Sequence, residues 1–181
     1  MDKLTERLAR GDPAAFADLY DQCADRLHHY LCLRLGSRDD ADDVLQEIFI
    51  RLVRGRKRLA SVENVTAYLF QMTRNEAIRH ASRRPRARRT LDSRAPDSLA
   101  AEELFCESSA ADAESRELAE SVARGLSLLA EEQREIVDLH IYCGLGFRVI
   151  ADVLGVPQGT VASRYRAAIA ALRLSLTREL S

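Results

Sequence analysis

Apolar residues recur at intervals of three and four along each periodic stretch of this chain, which is the spacing of one face of an α-helix. In the first stretch the apolar positions are Phe16, Leu19, Tyr20, Cys23, Leu27, Tyr30 and Leu31. A second stretch has Ala41, Val44, Leu45, Ile48 and Leu52, and a third has Val65, Leu69, Met72 and Ala77. Apolar and polar residues alternate nowhere as they would in a strand. The pattern predicts an all-α protein.

Polar residues mark where these helices begin and end. Ser37 or Asp39 can cap the second helix, and Asn64 can cap the third. Between them, residues 56–58 and 61–63 are predicted to form a polar loop. The third helix should run to about Ser82, where a basic segment with a helix-breaking proline follows.

Charge divides the chain into three parts. Residues 1–90 carry 18 Lys and Arg against 13 Asp and Glu, residues 91–120 carry 2 against 9, and residues 121–181 carry 7 against 6. Periodicity is also lost between residues 90 and 114. We therefore expect two small helical domains, residues 1–90 and 115–181, joined by a flexible acidic linker of residues 91–114. Limited proteolysis should cut this linker first.

The C-terminal part has the most diagnostic pattern. A short helix with apolar positions from Phe147 to Leu154 precedes the turn Gly155-Val156-Pro157, and a longer helix follows. Pro157 suits the first position of that helix. This succession predicts a helix-turn-helix, although a helical hairpin with a solvated face would look similar. With Val161, Tyr165, Ala168 and Leu172 inward, the residues left to reach a DNA groove are Gln158, Gly159, Thr160, Ser163, Arg164 and Arg166.

The second helix begins with five acidic residues within nine positions: Asp39, Asp40, Asp42, Asp43 and Glu47. Acids favour a helix N-terminus through the helix dipole, which explains part of this enrichment. The remainder forms an acidic face suited to a basic protein partner rather than to DNA. Carboxylates so placed can also serve acid–base catalysis or metal binding, but no histidine or glycine-rich loop lies beside them in the sequence.

The third helix and its flanks combine basic and aromatic residues. Basic groups beside aromatic rings can follow a phosphate backbone while the rings stack on unpaired bases. The alternative is that the aromatic residues Tyr68 and Phe70 are core residues beside a solvated charge run. The basic residues in question are Arg54, Arg56, Lys57, Arg58, Arg74, Arg79, Arg83, Arg84, Arg86, Arg88 and Arg89.

Three blocks of the sequence resemble, in order, the conserved regions of the extracytoplasmic-function (ECF) sigma factors. Residues 39–52 are similar to region 2.2, which docks on the clamp helices of the polymerase β′ subunit. Residues 67–78 resemble the helix that melts the promoter and reads the -10 element. Residues 145–164 resemble region 4, which reads the -35 element. The resemblance implies a sigma factor that binds core RNA polymerase (β′ clamp helices and β flap) and promoter DNA, and that an anti-sigma factor controls.

The resemblance also implies roles for individual residues. Contacts to core polymerase are assigned to Asp42, Asp43, Gln46 and Glu47. Contacts to the -10 element are assigned to Arg58, Asn64, Tyr68, Arg74, Asn75, Arg79, Arg83 and Arg84. The residues that face a DNA groove in the helix-turn-helix would read the -35 element. By the same resemblance, the acidic linker would thread the polymerase cleft where RNA later passes.

The remaining observations concern cofactors, location and enzymatic activity. Four cysteines stand far apart, and the pairs His28 with Cys32 and His140 with Cys143 are at most half of a zinc site. We expect free thiols, no metal, no cofactor and no catalytic residue, since phosphate loops and nucleophile motifs are missing from the sequence. With neither a signal peptide nor a long apolar run, the protein is expected to be cytoplasmic, without membrane insertion.

Two other classes of protein fit parts of the pattern. A conventional transcription regulator would also carry a C-terminal helix-turn-helix, but it would bind operator DNA without polymerase. A helical enzyme would need a catalytic motif that we do not find. A gel shift with and without core polymerase separates the first alternative from a sigma factor.

Overall fold

The computed structural model describes residues 3–83 and 113–179. The N-terminal bundle consists of α1 (Lys3–Arg10), α2 (Pro13–Leu35), α3 (Arg38–Arg54), a 3-10 helix (Arg56–Ser61) and α4 (Val65–Arg83). The C-terminal bundle consists of α5 (Ala113–Ser127), α6 (Glu131–Val137), a π-helical turn (Asp138–Tyr142), α7 (Phe147–Leu154) and α8 (Gln158–Glu179). The described part of the chain contains no strand, which confirms the all-α prediction. Helix α5 includes the last two residues of the expected linker, 113 and 114, and the rest of that segment lies outside the described residues.

Local chemistry explains where the helices of the N-terminal bundle begin. Asp12 accepts a hydrogen bond from the amide of Ala14 at 3.0 Å, and Pro13 occupies the first turn of α2. Ser37 caps α3 by accepting from the amide of Asp40 at 3.3 Å. Asn64 caps α4 in the same way, since its Oδ1 accepts from the amide of Ala67 at 3.0 Å. The caps predicted at Ser37 and Asn64 are confirmed.

The core of the N-terminal bundle lies where α2, α3 and α4 pack together, with α1 against the 3-10 helix. Its fully buried side chains include Leu27, Leu31, Ile48 and Leu69. The polar loop predicted at residues 56–58 and 61–63 was wrong as far as Ser61, because Arg56–Ser61 forms the 3-10 helix and buries Leu59. Val62 and Glu63 lie between the helices, as predicted. A single leucine among charged residues gives no periodic signal, so only the packing against α1 reveals its role.

The helix-turn-helix is present as predicted, with one correction. Gly155 adopts a left-handed conformation at φ 68°, and its amide donates to the carbonyl of Ala151 at 2.9 Å to end α7. The carbonyl of Pro157 accepts from the amides of Thr160 at 2.9 Å and Val161 at 3.3 Å. Pro157 is therefore the residue that caps α8, one position before the first helical position predicted for it.

The two bundles are packed against each other, which the sequence analysis did not anticipate. Helix α4 contacts α7, and α2 contacts the π-helical turn. Buried residues of both bundles form one continuous apolar cluster, from Leu8 in α1 to Val161 in α8. In the structure, the two DNA-reading candidates α4 and the helix-turn-helix are therefore neighbours.

Candidate functional site

An apolar groove with an acidic edge runs along α3 beside α2. Its apolar part includes Tyr20, Ile50 and Val53, which are 48%, 38% and 43% exposed. The ring of Tyr20 contacts that of Phe49 with centroids 4.9 Å apart. Tyr20, predicted to lie on a helix face turned inward, thus lines an open surface instead. The complete lining is Tyr20, Asp42, Asp43, Leu45, Gln46, Phe49, Ile50, Val53 and Arg54.

Three of the four residues assigned to polymerase binding line this groove. Asp42, Asp43 and Gln46 are exposed and lie on its edge. Asp42 Oδ1 lies 3.1 Å from Nε2 of His28. Glu47 is half-buried and does not line the groove. It accepts a 2.6 Å hydrogen bond from Arg51. An apolar floor beside carboxylates suits an amphipathic, basic helix of a partner protein.

The residues assigned to the -10 element do not form a single surface of free side chains. Arg58, Asn75, Arg79 and Arg83 are exposed, and Arg79 lies 3.6 Å from the carboxylate of Glu76. The side-chain oxygen of Asn64 caps α4, so this oxygen is occupied by the backbone. Tyr68 is half-buried against the core and leaves part of its ring exposed. Arg84 lies outside the described residues.

Arg74 differs from the rest of this set because it is held by the C-terminal bundle. Its Nε donates to Glu135 Oε1 at 2.8 Å, and its second guanidinium nitrogen donates to Oε2 at 3.2 Å. The hydrogen bond that Arg74 donates to the Glu135 carboxylate raises the pKa of Arg74 above its ordinary value. Sequence reasoning named Arg74 but missed Glu135. The available signal was an acid directly before the apolar pair Ile136 and Val137.

The residues of the helix-turn-helix that are assigned to the -35 element lie at the start of α8, on the side opposite its buried residues. Val161 and Ala168 are fully buried, and Tyr165 packs against the core. Gln158, Gly159, Ser163 and Arg166 are exposed at the start of α8, while Thr160 and Arg164 are half-buried. Ser163 donates to the carbonyl of Thr160 at 3.0 Å, and Arg166 Nε donates to that of Ala162 at 3.3 Å.

An aromatic cluster holds α8 against the rest of the C-terminal bundle. The rings of Phe147, Tyr165 and His140 lie with centroids 4.7 to 5.2 Å apart. His140 Nδ1 also lies 2.8 Å from the carbonyl of Leu145, so the ring is fixed in orientation. His140 therefore helps to position α8 by packing against its Tyr165. The sequence pattern indicated His140 only as half of a zinc site and gave no sign of this packing role.

Two family models match the chain and together cover most of it. The model of Sigma-70 region 2 matches residues 19–89, and that of Sigma-70 region 4 matches residues 119–172. The first match contains the groove and α4, and the second contains the helix-turn-helix. The chain therefore belongs to the sigma-70 family.

Individual relatives show to which class of sigma-70 proteins the chain belongs. The chain is 31% identical over 172 residues to the ECF RNA polymerase sigma factor SigL of Mycobacterium tuberculosis, covering 93% of this chain and 92% of the relative. It is 26% identical to SigK of Mycobacterium bovis over 96% and 91% of the two chains. Against BldN of Streptomyces coelicolor the identity is 29%, and the chain spans 65% of that protein. Within the family, the chain is a member of the ECF sigma factors.

Solved structures share the fold. A structure of CnrH in complex with the cytosolic domain of CnrY has a TM-score of 0.64 at 23% identity and covers 97% of this chain and 96% of CnrH. The sigma factor RpoE in complex with the anti-sigma factor NepR from Bartonella quintana has a TM-score of 0.57 at 22% identity, covering 88% and 97%. Both support the two-bundle helical architecture.

Metal ligands and membrane helices were also sought among the described residues. Within residues 3–83 and 113–179, no helix is both long enough and apolar enough to cross a bilayer. Over the same ranges, no three His, Cys, Asp or Glu side chains are grouped to hold a metal ion. His28 and Cys32 do meet, with the sulfur 3.7 Å from Nε2.

Proposed function

We propose that this ECF sigma factor docks on core RNA polymerase through the α3 groove and directs it to promoters. The observation that carries the proposal is the groove itself, in which Asp42, Asp43 and Gln46 edge an exposed apolar floor. The clamp helices of the β′ subunit are the occupant that family membership favours. Glu47 is a secondary contact, because its ion pair with Arg51 restrains it.

The two bundles are assigned to the two promoter elements. The domain of residues 1–90 reads the -10 element through Arg58, Tyr68, Arg74, Asn75 and neighbouring groups of α4. The domain of residues 115–181 reads the -35 element through the start of α8 and contacts the β flap. Residues 91–114 are the acidic tether between them.

The remaining assignments follow from a role inside the transcription machinery. The protein acts in the cytoplasm, where core polymerase is found, and needs neither a cofactor nor catalytic residues because polymerase performs the chemistry. RpoE of Bartonella quintana is bound by the anti-sigma factor NepR. Control of this chain by an anti-sigma factor is proposed on that similarity.

The test is charge reversal in the groove. Asp43→Arg should abolish co-purification with core polymerase and promoter-dependent transcription, because it places a cation where a basic partner helix binds. Helicity should remain, since Asp43 is exposed and lies beyond the first turn of α3, where even a favourable charge contributes only about 0.3–1 kcal/mol. The matched control is Asp39→Arg, which reverses an exposed acid of the same helix that lies outside the groove lining.

Two outcomes decide the proposal. Asp43→Arg that loses core binding while Asp39→Arg keeps it supports the groove as the docking surface. If Asp43→Arg binds core as tightly as the unchanged protein, another surface binds polymerase. Binding of promoter fragments by the protein alone, in a gel shift without core, would instead indicate a conventional regulator.

A further inference from the structure

A nearly buried carboxylate lies at the contact between the two bundles. The side chain of Glu135, in α6, is 4% exposed. Its Oε1 accepts hydrogen bonds from the Tyr30 hydroxyl at 2.8 Å, from Arg74 Nε at 2.8 Å and from an Arg34 guanidinium nitrogen at 3.4 Å. All three donors belong to α2 and α4 of the N-terminal bundle. We call Tyr30, Arg34 and Arg74 the socket.

The socket is built to hold an anion. A carboxylate removed from water is costly unless charged and hydrogen-bonding partners surround it. Arg34 is 17% exposed and Arg74 31% exposed, so both guanidinium groups are already partly removed from water. The forked geometry by which Arg binds a carboxylate through two nitrogens also fits a phosphate. A DNA phosphate is therefore a chemically equivalent ligand for Arg74.

Contacts on both sides of the socket reinforce the closed arrangement. Arg34 forms a 2.6 Å ion pair with Glu131, one helical turn before Glu135. Arg26 Nε donates to the carbonyl of Cys143 at 2.6 Å, and the Cys143 thiol lies 3.6 Å from the carbonyl of Arg26. The closure thus joins α2 to α6 and to the end of the π-helical turn.

The closed arrangement is incompatible with reading both promoter elements. Elements centred at -10 and -35 are about 25 base pairs apart, which is roughly 85 Å along B-DNA at about 3.4 Å per base pair. Helix α4 is in contact with α7 of the helix-turn-helix. A chain in this state cannot place α4 and α8 on the two elements at once, so the bundles must separate first.

We propose that Glu135 is an internal ligand of the socket that competes with promoter DNA for Arg74 and keeps the free chain closed. This inference rests on the proposed function, since it takes DNA as the second ligand. Opening removes the carboxylate, frees Arg74 for a phosphate of the -10 strand, and allows α8 to reach the -35 element. The whole chain is therefore its own inhibitor until polymerase or DNA separates the bundles.

The first experiment removes the charge of the internal ligand. Glu135→Gln keeps the size of the side chain but loses the charge-assisted bonds to Arg74 and Arg34. Its control is Glu132→Gln, an exposed acid of the same helix. Small-angle X-ray scattering of the full chain should show a larger radius of gyration for Glu135→Gln alone. Circular dichroism checks that both variants keep their helices.

DNA binding by the same variants is the second readout. The probe is a labelled single-stranded oligonucleotide carrying the -10 sequence of a promoter mapped with the reconstituted holoenzyme. Glu135→Gln should bind it about tenfold more tightly, the gain expected if roughly a tenth of the unchanged protein is open. Adding Arg74→Ala should cancel the gain. Unchanged compactness together with unchanged DNA affinity would overturn the proposal.

A covalent lock tests the inference from the opposite direction and remains decisive if Glu135→Gln fails to fold. Arg26→Cys would place a thiol beside native Cys143, with Cys23→Ala, Cys32→Ser and Cys106→Ser preventing other pairs. Under oxidant the closed chain should form the bond, lose transcription with core polymerase, and recover it on reduction. Failure to form the bond, or full activity of the bonded form, would contradict closure.

The two proposals can fail separately. The scattering and cross-linking measurements use the free protein and involve neither polymerase nor DNA. They therefore report closure even if Asp43→Arg shows that the groove does not bind core. Conversely, an active sigma factor whose compactness and locking do not respond to these changes would leave the proposed function intact and contradict closure by Glu135.

Discussion

The two bundles bury their side chains in different ways. Among the fully buried Leu, Ile, Phe and Tyr side chains of the described residues, ten belong to the N-terminal bundle and three, Ile136, Leu139 and Ile150, to the C-terminal bundle. Ile136 and Leu139 lie in α6 and the π-helical turn, the segment that packs on both α8 and α2, and Ile150 lies in α7, which contacts α4. The N-terminal bundle has a core of its own, whereas the C-terminal bundle buries its largest residues where it also meets its neighbour.

From this difference in burial we infer that the N-terminal bundle is more stable than the C-terminal bundle. A helix set with a large internal core can hold the groove and α4 rigidly whether or not the other bundle is attached. A smaller bundle that shares part of its buried surface can leave its neighbour at lower cost. The inferred opening would therefore be a movement of the C-terminal bundle off a stable N-terminal platform.

The largest expected effects come from matched truncations in the two cores. Leu31→Ala and Ile150→Ala each remove a fully buried side chain, one from each bundle. Each should cost about 2–5 kcal/mol of unfolding free energy through lost transfer energy and the cavity left behind. In a denaturant titration followed by circular dichroism, unequal bundles predict two transitions, with Leu31→Ala shifting the later one and Ile150→Ala the earlier one.

The same titration can contradict the inference that the two bundles differ in stability. A single cooperative transition, shifted equally by Leu31→Ala and Ile150→Ala, would show that the bundles unfold as one body. In that case the apolar cluster that the two bundles share, rather than their separate cores, would determine stability. Separating the bundles would then require more binding free energy from polymerase.

A smaller effect is expected at the start of α8. Arg164→Ala should weaken -35 binding by the holoenzyme, and Arg173→Ala, an exposed arginine farther along the same helix, is its control. If Arg164 binds guanine, the loss should be about 1–3 kcal/mol and confined to promoters with that base. If it binds phosphate, all promoters should weaken alike and the salt slope should fall by about one.

Footprinting across a salt series separates these outcomes. Arg166→Ala should be included, because Arg166 is exposed on the same face. Unchanged -35 protection in both Arg164→Ala and Arg166→Ala would show that this face does not read the element. The C-terminal bundle would then contribute through contacts to polymerase alone, and the N-terminal bundle would be the one that contacts promoter DNA.

Sequence reasoning succeeded where the determining chemistry is local. The caps at Ser37 and Asn64 were predictable because a short polar side chain bonds an amide three residues ahead. The inward face of α8 was predictable from the spacing of Val161 and Ala168, both fully buried. The single-position error at Pro157 arose because the exact start of α8 depends on the left-handed turn at Gly155.

Non-local contacts were beyond what a sequence pattern can indicate. Tyr30 was identified as a helix-face residue, but its hydroxyl bonds Glu135, 105 positions away. The apolar period predicts that a face is buried and does not specify which helix covers it. The assignment of Arg74 to DNA rested on its helix, and its present partner comes from the other bundle. Charge segregation suggested two domains and gave no sign that they pack together.

The smallest predicted effect is a pH dependence at His29, on the side of α2 that faces the C-terminal bundle. Its ring lies 5.6 Å from that of Tyr142, and burial, with a further contribution from neighbouring His28, lowers its pKa. A histidine with a lowered pKa in the folded state is protonated more readily when unfolded. Its contribution to stability is therefore present above the unfolded pKa of about 6.5 and is lost as the pH falls below that value. Thermal melts from pH 7.5 to 5.5 should show a decline that His29→Gln reduces and Asp39→Asn does not. An unchanged decline in His29→Gln would show that another group causes the loss of stability at low pH.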